Sequence, residues 1–307
     1  MDKTNEIRYA VGEGYAINAL SGGVDSSVVT MLGHRALGDR LRTYFIDDGL
    51  MRENEANYVS SLFYQIGVPI EVVDSKERFF SALRGIEDPE DKRNAFTDCF
   101  YKTFGDIVRN NAGPERKLFL LQGTNYTDVE ETLAKVKRQH NVLAQLGIDP
   151  LKTYGYDVIE PIIDLRKPAV RAVAREIGLP KEVSERIPFP GPGLAARIIG
   201  EVTPGRVETV RKATKVVEQE LYDLGAFQYL AILHKDNVTG MRDGKRDFGQ
   251  QIEVRCWDSK DAVTGAPTKV PFEKLTTIAD RITREVPGVV SVTYNITKKP
   301  PSTIEAV

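Results

Sequence analysis

The segment Leu20-Ser-Gly-Gly-Val-Asp-Ser-Ser27 links an apolar run to a stretch with helical periodicity. Its glycines allow a tight turn and a close approach to an anion, and its serine hydroxyls stand beside the N–H groups that open a helix. An ordinary strand-to-helix turn with an N-cap serine would also use these residue types. The segment lacks the lysine of a Walker loop and the third glycine of a dinucleotide fingerprint, which excludes both of those motifs.

Short apolar runs and amphipathic stretches alternate on either side of this segment. Such alternation predicts an α/β fold, a doubly wound parallel sheet with helices on both faces. The predicted strands are residues 15–20, 41–47, 68–74, 117–122 and 156–160, and the predicted helices are residues 25–37, 54–66 and 167–177.

The pattern changes after the loop Ile187-Pro-Phe-Pro-Gly-Pro-Gly193, which no helix or central strand tolerates. The sequence therefore predicts two domains. Residues 1–195 carry the parallel sheet, and residues 196–307 form a second, smaller α+β domain. In the second domain we predict helices at residues 207–224 and 272–284, and strands at residues 229–233, 251–257 and 289–296.

The composition excludes several classes of protein. The 307 residues include 42 Lys+Arg and 44 Asp+Glu, a net charge of -2, so neither nucleic acid nor a membrane surface is expected as a partner. No apolar run approaches the ~18 residues of a spanning helix, and the amino terminus lacks a signal-peptide core, so a cytoplasmic location is expected. Cys99 and Cys256 are too few for a disulfide framework or a zinc site, and buried, inert thiols are expected.

The string SGGxDS in this context resembles the pyrophosphate (PP) loop of the N-type ATP pyrophosphatases, which have an adenine nucleotide alpha hydrolase-like fold and split ATP into AMP and pyrophosphate. The resemblance implies ATP and Mg²⁺ as cofactors. Asp47 ends the second strand at the edge where such sheets bind nucleotides, although a turn before the next helix would explain it equally well. The implied ATP-binding residues are Ser21, Gly22, Gly23, Val24, Asp25, Ser26, Ser27 and Asp47.

Other strings are similar to the ATP-pyrophosphatase part of GMP synthase: Gln122-Gly-Thr124, His140-Asn-Val142, Phe189-Pro-Gly-Pro-Gly-Leu-Ala195 and Lys299-Pro-Pro-Ser-Thr-Ile-Glu305. In that family ATP adenylates the C2 oxygen of xanthosine 5′-monophosphate (XMP), pyrophosphate leaves, and ammonia displaces AMP to give GMP. The resemblance also implies a homodimer formed through the carboxyl-terminal domain.

The same resemblance assigns catalytic roles. Asp128 matches a second magnesium carboxylate beside Asp25, Lys137 and His140 match residues of a mobile lid, and Lys167 matches a lysine near the phosphates. By residue type alone, Lys137 would lie on a solvated helix face, and His140 would be a turn residue.

The acceptor nucleotide requires groups for its phosphate and its xanthine edge. Glycine N–H groups in a proline-rich loop suit a phosphate or a planar base, whereas a proline-rich tail is also typical of a simple terminal latch. The candidate residues for acceptor binding are Arg186, Gly191, Gly193, Arg255, Lys299, Thr303 and Glu305.

The chain departs from the family in the lid, where Gln139, Leu143 and Ala144 stand in place of a histidine and two glycines, and in Leu233–Gly240, where an arginine is missing. Two alternatives therefore stay open: a paralogue that adenylates another purine or carbonyl acceptor for nitrogen or sulfur transfer, with Cys99 as a sulfur carrier, and a nucleotide-binding protein with weakened catalysis. Only about 20 residues precede the PP loop, so we expect ammonia from a separate glutamine amidotransferase subunit.

Overall fold

The computed structural model describes residues 2–111, 117–126, 128–129, 156–242, 244–259 and 263–306. Two compact units divide the chain. The first comprises Met1–Asp47, Asn54–Ser75 and Phe100–Arg186, and the second comprises Asp48–Glu53, Lys76–Cys99 and Ile187–Val307. The second unit thus draws on three separate stretches of sequence. The division into residues 1–195 and 196–307 stays a prediction.

A five-stranded parallel sheet forms the centre of the first unit, with strand order β3-β2-β1-β4-β5. This confirms the predicted doubly wound α/β fold. The inner strands are buried, as expected when helices cover both faces of a sheet. The strands are β1 (Tyr15–Ala19), β2 (Leu41–Asp47), β3 (Ile70–Asp74), β4 (Leu118–Leu121) and β5 (Asp157–Ile159).

Among the described residues of the first half, four helices were not predicted from the sequence, namely α1, α4, α5 and α7. The Asp2 side chain caps α1, and Asp88 accepts hydrogen bonds from the backbone N–H groups of Glu90 and Asp91 at the start of α5. Such caps satisfy N–H groups that have no partner within the helix. The helices are α1 (Lys3–Val11), α2 (Val24–Leu37), α3 (Glu55–Gln65), α4 (Lys76–Leu83), α5 (Pro89–Asn111), α6 (Lys167–Glu176) and α7 (Lys181–Ser184).

The second unit contains a separate sheet, in which strands β6 and β7 form a long antiparallel hairpin and β9 runs parallel to β7. The hairpin extends well beyond the two strands predicted at residues 229–233 and 251–257. Its outer half is mostly exposed, and its apolar residues, among them Met241 and Phe248, do not alternate regularly with polar ones. The elements are α8 (Pro204–Leu221), β6 (Gln228–Arg242), β7 (Lys245–Asp258), β8 (Ala266–Pro267), α9 (Phe272–Glu285) and β9 (Val289–Tyr294).

The apolar half of the hairpin carries a core of the second unit. Leu230 and Ile232 of β6 pack with Trp257 of β7 and with Ile304 near the carboxyl terminus. Among the helices that the structure describes, none is both long and apolar enough to cross a membrane.

Candidate active site

The order of the parallel strands determines where a ligand can bind. Strand β1 has β2 on one side and β4 on the other, so the strand order reverses between β1 and β4, and the carboxyl edge at such a point is where open α/β sheets bind ligands. The segment after β4 approaches the PP loop closely. A methyl group at Gly123 would lie only 3.0 Å from the backbone nitrogen of Ser26.

The PP loop leads directly into the amino terminus of α2. Gly23 is the N-cap residue, and no side chain caps the helix, which rules out the N-cap serine that an ordinary turn would use. Ser26 instead donates to the carbonyl of Gly23 at 3.1 Å, and its hydroxyl oxygen lies 3.0 Å from that of Ser21. The first turn of α2 therefore presents N–H groups and the positive end of a helix dipole, which is the arrangement that binds phosphates.

Asp25 is the acidic residue in the first turn of α2 and belongs to the PP loop itself. Its Oδ2 forms an ion pair with Lys167, the first residue of α6, whereas its Oδ1 is buried and has no hydrogen-bond partner. Burial raises the pKa of Asp25, the charge of Lys167 opposes this shift, and the nearby Asp128 adds to it. An unpartnered buried carboxylate oxygen near a second carboxylate is an environment that a cation would stabilise.

Asp128 belongs to the segment that follows β4. Its Oδ2 accepts hydrogen bonds from the side chain and the backbone N–H of Asn125 at 3.0 and 3.2 Å. Glu160, directly after β5, was not predicted as a site residue. Burial raises the pKa of Glu160, a hydrogen bond from Thr124 opposes this shift, and the charge of Asp128 raises it further. Its position at the end of a parallel strand is the one signal in the sequence that could have identified it.

The charge of Asp128 thus affects both Asp25 and Glu160, but within the described residues no group of three or more His, Cys, Asp or Glu is arranged to hold a metal by itself. Mg²⁺ is commonly bound by one or two carboxylates together with substrate phosphates and water. Asp25 and Asp128 fit that donor set. Asp47 ends β2 at the same edge of the sheet, and its role stays a prediction.

The predicted acceptor residues are divided between the units. Arg186 lies in the first unit, where its guanidinium group contacts Glu55 and the carbonyl of Gly22. Gly193 has φ +59°, and a methyl group there would lie 2.4 Å from the carbonyl oxygen of Leu50. The other predicted acceptor residues belong with Gly193 to the second unit: Gly191, Arg255, Lys299, Thr303 and Glu305.

In the second unit, three of those residues converge on the carboxyl-terminal segment. Arg255 donates to the carbonyl of Thr303 at 2.7 Å, and Thr303 donates to the carbonyl of Glu305. The Glu305 carboxylate accepts from the fully buried Arg197 and from Gln228, two residues that the sequence analysis did not identify. These contacts hold the segment in place, as the latch alternative also expects. Lys299 instead pairs through its backbone with Gly265.

Glu253 is another residue that the sequence analysis missed. Burial alone would raise the pKa of Glu253, but hydrogen bonds from His234, Asn295 and Arg255 outweigh it and lower the pKa to about 2. Because Arg255 also binds the carboxyl-terminal segment, the charged Glu253 holds that arginine in its orientation.

The predicted lid residues Lys137 and His140, with Gln139, Leu143 and Ala144, lie outside the described residues. Both cysteines are buried, as expected, and burial raises the pKa of the Cys256 thiol. A buried Cys99 offers no support for the sulfur-carrier alternative.

Comparison with known proteins finds family matches in both halves of the chain and relatives along its whole length. Residues 214–306 match the GMP synthase C terminal domain, and residues 18–88 match the asparagine synthase family. A subunit of the glutamine-hydrolyzing GMP synthase of Archaeoglobus fulgidus is 48% identical over 98% of this chain and 95% of that protein. The corresponding subunit of Thermococcus kodakarensis is 44% identical over 99% of this chain and 97% of that protein.

A further relative, the glutamine-hydrolyzing GMP synthase of Pyrobaculum aerophilum, is 43% identical over 98% of this chain, and the match spans 60% of that longer protein. The relatives that are separate subunits, in contrast, match along almost their whole length. With this similarity over almost the whole chain, and with the parallel sheet and the phosphate cradle in agreement, the chain belongs to the GMP synthase family.

Proposed function

We propose that this chain catalyses the ATP-dependent step of GMP synthesis as the ATP-pyrophosphatase subunit of a two-subunit GMP synthase. The observation that carries the proposal is the full-length similarity to separate GMP synthase subunits. The C2 oxygen of XMP attacks the α-phosphorus of ATP, and the bond to pyrophosphate breaks. Ammonia then adds at C2, loses a proton and displaces AMP, leaving the amino group of GMP.

The residues around the PP loop suit the first of these steps. The leaving pyrophosphate gains negative charge, which the uncapped N–H groups of α2 and the ammonium group of Lys167 would stabilise. Lys167 forms an ion pair with Asp25, which holds its ammonium group beside the loop. The reaction needs no covalent enzyme intermediate, so it requires no nucleophilic side chain.

Asp25 and Asp128 would hold Mg²⁺. The buried Oδ1 of Asp25 has no hydrogen-bond partner, and the charge of Asp128 lies close enough to raise the pKa of Asp25. When bound, the metal would neutralise charge on the phosphates. The chain's own contribution is to keep the Asp25 carboxylate at the amino terminus of α2 and to present Lys167 to the same phosphates.

The acceptor XMP would be bound by the second unit, through the Pro-Gly-Pro-Gly loop and the carboxyl-terminal residues up to Glu305. Ammonia would come from a separate glutamine amidotransferase subunit. This proposal is supported by relatives that are single subunits of a glutamine-hydrolyzing enzyme. We also propose a homodimer formed through the carboxyl-terminal domain, and a cytoplasmic location.

The direct test measures pyrophosphate release from ATP and Mg²⁺ by the purified chain, with and without XMP, and GMP formation after ammonium is added. We expect release to require XMP and to stop with EDTA, and glutamine alone to give no GMP. Inosine 5′-monophosphate, which has no C2 oxygen, is the control acceptor. A chain that releases no pyrophosphate with XMP at saturating ATP would overturn the proposal.

A matched pair of variants tests the part assigned to the PP loop. Lys167→Met should lower the rate about 100-fold or more, because a charged donor to the leaving group is lost. Lys117→Met is the control, since Lys117 is an exposed lysine of the same unit that pairs with Asp157. Equal activity in the two variants would contradict a role for Lys167.

A further inference from the structure

A nearly buried ion pair lies directly against the PP loop. Both Glu55 carboxylate oxygens contact the guanidinium group of Arg186, at 2.5 and 2.7 Å, and the same guanidinium donates to the carbonyl of Gly22 at 3.1 Å. The side chains of Glu55 and Arg186 are only 6% and 17% exposed. A bidentate pair of this kind is rigid and charge-assisted.

The loop fits against this pair without spare room. Gly22 has φ +76°, which favours glycine, and a methyl group there would lie 2.9 Å from a Glu55 carboxylate oxygen and 3.0 Å from Arg186 Nη1. Gly22 therefore serves two purposes: it makes the turn, and it lets the backbone rest on the ion pair.

Neighbouring elements support both members of the pair. Arg171 of α6 donates to the carbonyls of Ser184 and Arg186 at 2.6 and 3.0 Å, which fixes the backbone that carries Arg186. Glu55 is the first residue of α3, where the helix dipole stabilises a negative charge. The pair is therefore held from two helices while its guanidinium holds Gly22.

We propose that Arg186 and Glu55 are positioning residues of the PP loop: the pair holds the Gly22 carbonyl and thereby keeps the loop's N–H groups aimed at the ATP phosphates. This inference rests on the proposed function for what the loop binds. It replaces the prediction that Arg186 binds the acceptor nucleotide, because Glu55 neutralises the guanidinium and the Gly22 carbonyl takes up a further donor.

The proposal and its rival predict opposite effects of Glu55→Gln. If Arg186 were itself a ligand of the ATP phosphates, Glu55→Gln would leave the positive charge of Arg186 uncompensated and tighten ATP binding. If the pair positions the loop, the same change loosens the Gly22 carbonyl and weakens ATP binding.

The experiment measures Kd for ATP by calorimetry, without XMP, and the KM values for ATP and XMP, in the wild type, Glu55→Gln and Arg186→Lys. Calorimetry does not depend on the acceptor, so it separates this inference from failure of the proposed function. We expect Kd and KM for ATP to rise about tenfold in both variants, because a small displacement of aligned groups is costly, while KM for XMP changes less than about twofold.

The control is Arg35→Lys, the same substitution at an arginine in the last turn of α2. Arg35 donates to the carbonyl of Ile177, away from the PP loop at the other end of the helix. It should leave both KM values unchanged. If Glu55→Gln does not fold, Glu55→Asp keeps the charge but shortens the side chain, and the same loss of ATP affinity is expected. Tighter ATP binding in Glu55→Gln, or a rise confined to KM for XMP, would overturn the proposal.

Discussion

At the scale of single residues, two helical glycines of the first unit differ in what surrounds them. A methyl group on Gly33, in α2, would lie 2.6 Å from Leu121 Cδ1 and 2.9 Å from Leu41 Cδ2. Both leucines are buried and cannot retreat easily. A methyl group on Gly105, in α5, would meet nothing closer than the flexible end of Arg109, at 3.5 Å. The first position has no space for a side chain, whereas the second has.

We therefore expect Gly33→Ala and Gly105→Ala to change stability in opposite directions. Overpacking at Gly33 should cost about 1–3 kcal/mol. At Gly105, the better helix propensity of alanine should stabilise the protein by up to about 1 kcal/mol. Urea unfolding of the two variants beside the wild type measures both. A Gly33→Ala variant as stable as the wild type would show that the leucines can move apart.

Lys92 is a buried charge of the second unit that lies outside the proposed reaction. Its side chain donates to the carbonyl of Ile198 at 2.8 Å. Burial, together with the positive charge of Arg206, lowers the pKa of Lys92 from 10.5 to about 8. Between these two pKa values the unfolded chain holds the proton while the folded chain has released it.

Lys92 should therefore make the free energy of unfolding increase as pH rises from about 8 towards 10.5, because stability rises with pH wherever the unfolded state binds more protons. Below pH 8 both states are protonated and the contribution is constant. Chemical denaturation of wild type and Lys92→Met across this range isolates the effect as a difference. A difference that does not change with pH would show that Lys92 titrates normally.

At the scale of elements, helix α8 holds the segment Asp48–Glu53 within the second unit. Arg211 donates to the carbonyls of Gly49 and Met51, and Glu218 pairs with Arg52 at 2.6 Å. The segment has no regular structure of its own, so Arg211 satisfies two of its backbone carbonyls, while Glu218 holds the side chain of Arg52. A stretch that reads as a turn in the sequence is thus fixed by a helix more than 150 residues away.

Replacing Arg211 with Met should remove the donors of two carbonyls and lower stability by about 1–3 kcal/mol. Lys212→Met, the adjacent position on the same helix, is the matched control. Lys212 is partly exposed, and among the described residues its one ion pair is a long contact with Glu208 at 3.7 Å, so its loss should stay within about 0.5 kcal/mol. Equal losses in denaturant unfolding would mean that the hydrogen bonds from Arg211 contribute nothing specific.

At the scale of the whole molecule, the second unit is not a continuous domain. It includes Asp48–Glu53 and Lys76–Cys99, which are separated in sequence from Ile187–Val307. Those two early stretches contribute buried apolar side chains, among them Leu50, Phe79, Leu83 and Phe96. The rings of Phe79 and Phe96 pack with their centroids 5.1 Å apart.

A fragment comprising residues 196–307 should consequently be much less stable than the same residues in the full chain. It would lack part of its own core and would expose apolar surface, which favours aggregation. Circular dichroism and denaturant unfolding of the fragment, beside the full chain, test this. A fragment that unfolds cooperatively at the same denaturant concentration as the full chain would support the predicted domain boundary at residue 195.

Local patterns in the sequence were sufficient for much of the first unit. The parallel strands follow from short apolar runs that must be buried on both faces, and the PP loop follows from glycines and serines between a strand and a helix. The predictions failed where the pattern was weak. The exposed half of the β6–β7 hairpin carries no apolar alternation, and α4 and α5 were not predicted.

The sequence by itself therefore determined the doubly wound fold, the family and the position of the phosphate cradle, because these depend on residues that are neighbours along the chain. Only the tertiary structure decided that Glu55 and Arg186 meet beneath Gly22 and that early segments belong to the second unit. The physical reason is that an ion pair or a buried contact between distant residues depends on how the elements pack. Sequence spacing carries no record of that packing.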